Sequence, residues 1–166
     1  MNNAKPESMR NFTGKLQQLY QSAPDQVVLR LLHNQRPEQA ITYRELLLGA
    51  AGYARALEQA GIQPGEVVVL ILQHGETLPY AFFGAVLRGA VPSILPFLTE
   101  KLSPDQYRRA LASLFQVTAP AAVITYPEFE GEVRHALADQ PTSVRQVLLC
   151  NAIAPADEID FATLPG

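Results

Sequence analysis

The stretch "VVVLILQ", Val67 to Gln73, decides the fold. It is a continuous β-branched and aliphatic run with no polar alternation. A strand with one solvated face alternates; a strand covered on both faces does not, and such strands belong to parallel sheets flanked by helices. The flanking sequence agrees. Upstream, Thr42 and Glu45 make a capping-box pair that opens a helix. Leu46, Ala50, Tyr53, Leu57 and Ala60 give that helix its apolar stripe. Gly61 suits its C-terminal stop, and "QPGE" places Pro64 and Gly65 for a type II turn. Downstream, residues 77–88 read as a second helix carrying Phe82, Phe83, Val86 and Leu87. Gly84 in its middle costs about 1 kcal/mol of helix propensity, which close packing against a neighbour would explain.

The alternation continues. "VPSIL" is a short strand. Ser103 caps the next helix, with Pro104 at its first position and Gln106 at the box position. Tyr107, Ala110, Leu111, Leu114 and Phe115 mark its apolar face. "AAVITY" is a strand, Phe129, Val133, Ala136 and Leu137 mark a helix, and "VRQVLLC" is the last strand. The order β-α-β-α-β-α-β, from Val67 to Cys150, predicts an α/β fold: a mostly parallel sheet covered by helices. The expected parallel strands are "VVVLIL", "VPSIL", "AAVIT" and "RQVLLC". Ahead of them lie an amphipathic helix over residues 9–22 and a hairpin formed by "QVVLRLLH" and "QAIT". "NAIAPADEIDFATLPG" reads as loop. The expected division is one α/β subdomain over residues 1–150 and a tail over 151–166.

Two prolines interrupt the apolar segment "GAVPSILPFLTEKLSP", Gly89 to Pro104. Pro92 is tolerable near a strand start, where a ladder donor is least missed. Pro96 ends the strand and sets the direction of its exit loop. Phe97, Leu98 and Thr99 follow, just beyond a carboxyl end, where ligands gather in such sheets. Two readings stay open: a stiff apolar pocket wall, or a loop packed on its own core.

Chemistry is sparse. The 166 residues carry a formal charge of −3 and no basic run, which excludes a nucleic-acid or anionic-surface footprint. Cys150 is the single cysteine and reads as a buried thiol. No P-loop, dinucleotide fingerprint or nucleophile elbow occurs. Of the three histidines, His33 ends a strand and His135 lies on the polar side of a helix. His74, in "QHGE", follows the central strand at its carboxyl end, so it is the one candidate crevice residue; a solvent-facing or capping role is the alternative. Glu130 and Glu132 read as a helix-surface pair. No catalytic, cofactor-binding or metal residue is assigned. The N-terminus lacks a signal-type apolar core, and "VVVLIL" is far short of the ~18 residues that span a bilayer. A cytoplasmic location with no membrane span is expected.

"ITYRELLLGAAGYARALEQAGIQPGEVVVLIL" resembles the N-terminal signature of the adenylate-forming, AMP-forming acyl-CoA synthetases. Thr42, Tyr43, Glu45 and Leu46 match its helix opening; Gly61, Pro64, Gly65 and Glu66 match its turn. "AFFGAVLRGAVPSILPF", with Gly89 and Ala90, is similar to the second block, and its Pro-Ser-x-x-Pro-Phe form with "PAAVITY" is most similar to the long-chain fatty acyl synthetases and fatty-acyl-AMP ligases. The likeness covers residues 9 to 150. It implies an enzyme that uses ATP and Mg to activate a fatty or other carboxylic acid as acyl-AMP. The family's Ser/Thr/Gly-rich phosphate loop, its adenine motifs and its C-terminal lysine have no counterpart here. The expectation is an N-terminal fragment, inactive alone, whose partner is the remainder of the synthetase. The tail's Ile153, Ile159, Phe161 and Leu164 would form, with Pro96 to Leu98 and Tyr126-Pro127, an exposed apolar face able to pair two copies in a homodimer. The alternatives are a tail that folds back over that face and, for function, a free-standing non-catalytic binding module.

Overall fold

Val67–Ile71 forms the strand β3, and four residues of it, Val68, Val69, Leu70 and Ile71, are fully buried. The unbroken apolar run is thus covered on both sides. The computed structural model describes residues 12–32, 37–96, 103–138 and 142–165. In chain order the elements are α1 (Phe12–Ser22), β1 (Val27–Leu31), β2 (Gln39–Thr42), α2 (Tyr43–Gln59), β3, α3 (Thr77–Leu87), β4 (Val91–Ile94), α4 (Pro104–Thr118), β5 (Ala122–Thr125), α5 (Glu130–Ala138) and β6 (Gln146–Leu149). β1 and β2 pair antiparallel as a separate two-stranded sheet, while the other four strands are all parallel in the order β4-β3-β5-β6.

Side-chain alternation along β3 splits the core. Val68 and Leu70 point into a cluster with Tyr53 and Leu57 of α2, Ala81 and Ala85 of α3, and Ile124 of β5. Val69 and Ile71 point into another, with Tyr107, Leu111 and Phe115 of α4 and Val133 and Ala136 of α5. The sheet is therefore sandwiched between two helix pairs.

Local signals act as their chemistry dictates. Thr42 Oγ1 accepts the Glu45 N–H at 3.2 Å, and the Glu45 carboxylate accepts the Thr42 N–H at 2.8 Å, which holds the Glu45 carboxyl below its usual range. Gly61 has φ +74 and Gly65 φ +84, with Glu66 N–H donating to Gln63 O at 3.2 Å, the geometry of a type II turn. Gly84 lets α3 lie directly on α2: an added Cβ would press into Tyr53 Cβ and stand 2.7 Å from Ala50 O. Pro92 sits on an edge strand, where its missing N–H points away from β3.

The tail departs from expectation. Ile159, Phe161 and Leu164 are half-buried, packed with Leu16, Leu47, Ala54 and Leu87 as a further cluster on the outer side of α2 and α3. Tyr20 and Phe161 meet ring to ring at 5.8 Å, and Ala156 N–H donates to Leu48 O at 3.0 Å. The tail folds back because α2 presents small residues there: a Cβ on Gly52 would run into Ala154 O. The apolar face assigned to these side chains, with Ile153 also half-buried, is closed by the chain itself. Cys150 is half-buried, not fully buried, since it leaves β6 at the sheet margin. His33 and the Phe97–Thr99 part of the exit loop lie outside the described residues.

Candidate functional site

The connections leaving β3 and β5 diverge. β3 leads into α3 on one face of the sheet, and β5 leads into α5 on the other. Adjacent parallel strands whose connections part in this way open a crevice at their carboxyl ends. The residues there are Gln73 and His74 after β3, and Thr125 and Tyr126 at the end of β5. Leu95 and Pro96 lie on the β4 side and Cys150 on the β6 side.

His74 is exposed, three residues past β3 and two before the α3 cap residue Glu76. Glu76, also exposed, is hydrogen-bonded to the Gln39 amide, which ties the hairpin to this corner. Thr125 is fully buried and its hydroxyl donates to Ile71 O at 3.1 Å, pinning the two strand ends together. Tyr126 stacks on Phe129 at 5.5 Å, and Phe129 meets Tyr107 edge-on at 5.5 Å. The Tyr107 hydroxyl donates to Pro96 O at 2.6 Å, so the rigid proline end of β4 is fastened to α4. Burial pushes the Tyr107 hydroxyl up to about 12, with the Tyr126 and Glu132 charges adding to it. Tyr126 is raised by burial as well, offset in part by its hydrogen bond with Gln73. Both phenols stay neutral near neutral pH, Tyr107 as a donor to Pro96 O.

An apolar hollow of about 130 Å³ opens beside them, lined by Leu95, Pro96, Tyr107, Ala110, Leu111 and Leu114. Leu95 packs against the α4/α5 core and, with the exposed Pro96, walls this small apolar cleft; Phe97–Thr99, on which the two readings of the exit loop turn, lie outside the described residues. On the β6 side, Tyr53, Tyr80, Thr77, Glu76, Cys150 and Ile153 border another hollow of about 100 Å³. Burial raises Tyr80 to about 12 and raises the Cys150 thiol, so neither supplies a nucleophile at neutral pH. A wider groove, about 430 Å³, runs between α4 and α5 and is lined by Arg108, Arg109, Ser113, Gln116 and His135 among others. Its Arg108 is already committed: it grips Glu132 through two bonds at 2.5 and 2.9 Å and Asp105 at 3.2 Å. His135 is exposed on α5 and is not brought together with His74. Glu130 pairs with Arg134 at 2.7 Å on the helix surface.

Sequence reasoning placed His74 at this end but missed the tyrosines. Tyr107 and Tyr53 read as members of apolar stripes. The overlooked signal was chemical: a phenol in a buried stripe needs an acceptor for its O–H, and backbone carbonyls at strand ends are the nearest supply.

A protein-family model described as AMP-binding enzyme matches residues 16–164. The chain belongs to this family. Among curated proteins it is 27% identical over 128 residues to 4-hydroxybenzoate–CoA/benzoate–CoA ligase of Rhodopseudomonas palustris, covering 77% of this chain and 22% of that one. It is 28% identical to 4-coumarate–CoA ligase 2 of Petroselinum crispum, over 76% of this chain and 21% of the relative. Among solved structures, the fatty acid AMP ligase from Legionella pneumophila superposes with a TM-score of 0.67 at 20% identity, covering 92% of this chain and 26% of that one. A benzoate CoA ligase from Burkholderia xenovorans gives a TM-score of 0.64 at 25% identity, over 89% and 29%. This AMP-binding family chain therefore spans about a fifth of the length of the curated relatives it matches.

Among the described residues, no three His, Cys, Asp or Glu side chains group as a metal site. The strand ends offer apolar walls, neutral phenols and the Glu76 carboxylate, a charge that repels phosphate. No helix among the described residues is long and apolar enough to cross a membrane.

Proposed function

We propose that this chain is the first subdomain of a cytoplasmic ligase that uses ATP and Mg to convert a fatty or other carboxylic acid to acyl-AMP, with release of pyrophosphate. The observation that carries the reading is the match of residues 16–164 to the AMP-binding enzyme family. Within such an enzyme the subdomain supplies scaffold, and the apolar cleft of Leu95, Pro96 and Tyr107 supplies one wall facing the acid's hydrocarbon part. Among the described residues, the crevice presents apolar walls, neutral phenols and the Glu76 carboxylate, which do not support developing phosphate charge, the main need of such a reaction. Catalysis is therefore assigned to the remainder of the ligase, which is this subdomain's partner. His74 is a rim residue in this reading.

The test has two arms. The purified 166 residues, given ATP, Mg and a series of fatty and aromatic acids, should release no pyrophosphate. A polypeptide read through the source genome past Gly166 should do so in an acid-dependent way. Acid-dependent turnover by the 166 residues alone would sink the assignment of catalysis elsewhere. A second reading, a free-standing module with a binding role, is favoured by one observation: the tail covers the face of α1, α2 and α3 that would otherwise need a partner. A stop after Gly166 with no ligase gene beside it would favour that module.

A further inference from the structure

We propose that Tyr107 is a positioning residue for the choice of acid: by bonding Pro96 O it sets the width of the apolar cleft that takes the acid's hydrocarbon end. The proposal rests on the reading of the chain as one subdomain of an acid-activating ligase.

The end of β4 is held at successive atoms. Leu95 N–H donates to Leu70 O at 2.9 Å, which ties the strand end to β3. Pro96 confines Leu95 to extended backbone and locks its own φ at about −65°. Only the ψ of Pro96 is then left to choose, and ψ decides where its carbonyl points. The Tyr107 hydroxyl takes that carbonyl at 2.6 Å. One hydrogen bond therefore sets the last free torsion of the wall that Leu95 and Pro96 make.

Tyr107 serves as the fixed point because its ring is wedged. It is 6% exposed and meets Phe129 edge-on at 5.5 Å. Phe129 is buried and stacks on Tyr126, which is hydrogen-bonded to Gln73 beyond β3. This brace joins the carboxyl ends of β3, β5 and β4, the side of such a sheet where ligands gather. Pro96, by contrast, is exposed. Without the hydroxyl the ring stays in place and the proline end moves.

The chemistry of the cleft selects its occupant. Its other wall is Ala110, Leu111 and Leu114 of α4, and Gln106 is its one polar neighbour besides Tyr107. None of these side chains is charged, so a carboxylate stays outside and the hydrocarbon end enters. At about 130 Å³ the cleft is close in size to the roughly 150 Å³ apolar cavity that takes benzene. It suits one ring or a short alkyl end, and two fused rings are too large for it. Ala110 and Leu114 are exposed, so the cleft opens to solvent.

Nuclear magnetic resonance of the 166-residue chain tests this, with benzoate and naphthoate as probes and the Leu95, Leu111 and Leu114 methyls as reporters. Benzoate should shift those methyls saturably in the millimolar range, and naphthoate should bind at least about 10-fold more weakly. Tyr107→Phe should bring the two affinities within about 3-fold of each other, because a loosened wall admits the larger ring. A purely structural role would lower Tm and leave that ratio unchanged. Pro96→Ala, at an exposed position, frees the φ on which the bond relies and should narrow the ratio too. Ala110→Leu fills the cleft and should abolish the shifts. Silent methyls in the parent, or shifts that survive Ala110→Leu, would overturn the proposal. So would an unchanged ratio in Tyr107→Phe or, where that variant does not fold, in Pro96→Ala. Pyrophosphate release by the polypeptide that continues past Gly166 separates the two claims. Acid-dependent release with silent methyls overturns the cleft's role alone; saturable shifts beside an inactive longer polypeptide overturn the ligase reading and leave the cleft standing.

Discussion

Replacing Gly84 by alanine isolates the contact on which the α2/α3 layer depends. On propensity alone the change is favourable: alanine is better than glycine by about 1 kcal/mol in a helix interior. The tertiary structure reverses that. The new Cβ would press into Tyr53 Cβ and stand 2.7 Å from Ala50 O and 3.2 Å from Ala54 N. None of these is the free end of a flexible side chain, so α3 must move off α2 as a body. Overpacking of this kind costs typically about 1–3 kcal/mol, and rigid neighbours place Gly84 at the upper end. The net expectation is a loss of about 2 kcal/mol, taking about 3 for the clash and returning about 1 for propensity. In a domain of this size each kcal/mol moves Tm by roughly 2–4 °C, so Gly84→Ala should melt about 4–8 °C below the parent. Gly131→Ala is the control, because nothing lies within 4 Å of its added Cβ. That variant should melt at or slightly above the parent temperature. Thermal unfolding followed by circular dichroism, with urea titrations to check that the m-value holds, reads both. A Gly84→Ala protein as stable as Gly131→Ala would refute the close helix crossing.

Thr42→Ala removes one half of the capping box and should lower stability by about 1 kcal/mol in urea titrations, with Glu45→Gln smaller in the same direction. Arg145 holds Glu66 through bonds at 2.6 and 2.9 Å and draws its carboxyl down to about 2. The folded pKa is depressed, so the pair's contribution is present above the unfolded carboxylate value, about 4.3, and is lost as pH falls from there toward 2. Glu66→Gln should flatten the stability–pH curve in that window, and added salt should flatten the parent's, since the pair is largely exposed. Phe161→Ala removes the ring that meets Tyr20 and should free the tail, seen as faster protease cleavage between residues 156 and 165 without loss of the sheet's circular dichroism signal. Arg134→Ala, on the α5 surface, should leave cleavage unchanged.

Much of the architecture was legible in one dimension because its causes are local. "VVVLILQ" lacks alternation, and a strand without a polar face has to be covered twice. Thr42 with Glu45, and Pro64 with Gly65, act through atoms within four residues of one another, so their spacing alone carries the geometry. His74 could be placed at a strand end for the same reason, by counting from β3. The rest depends on which segments become neighbours in space, and periodicity records only which face of an element is apolar. That β5, not β4, continues the sheet beyond β3 is invisible in the sequence, and with it the position of Pro92 on an edge. Arg145 finds Glu66 across 79 residues because β6 starts at the edge of the sheet where the 61–66 turn feeds β3. The tyrosines at the strand ends were hidden by their own stripes, since a phenol reads as apolar until its acceptor is known. The tail, polar enough to read as loop, docks because glycine and alanine on α2 leave room for a backbone to approach. Local chemistry decided the elements; steric fit between elements decided their order, their edges and what covers them.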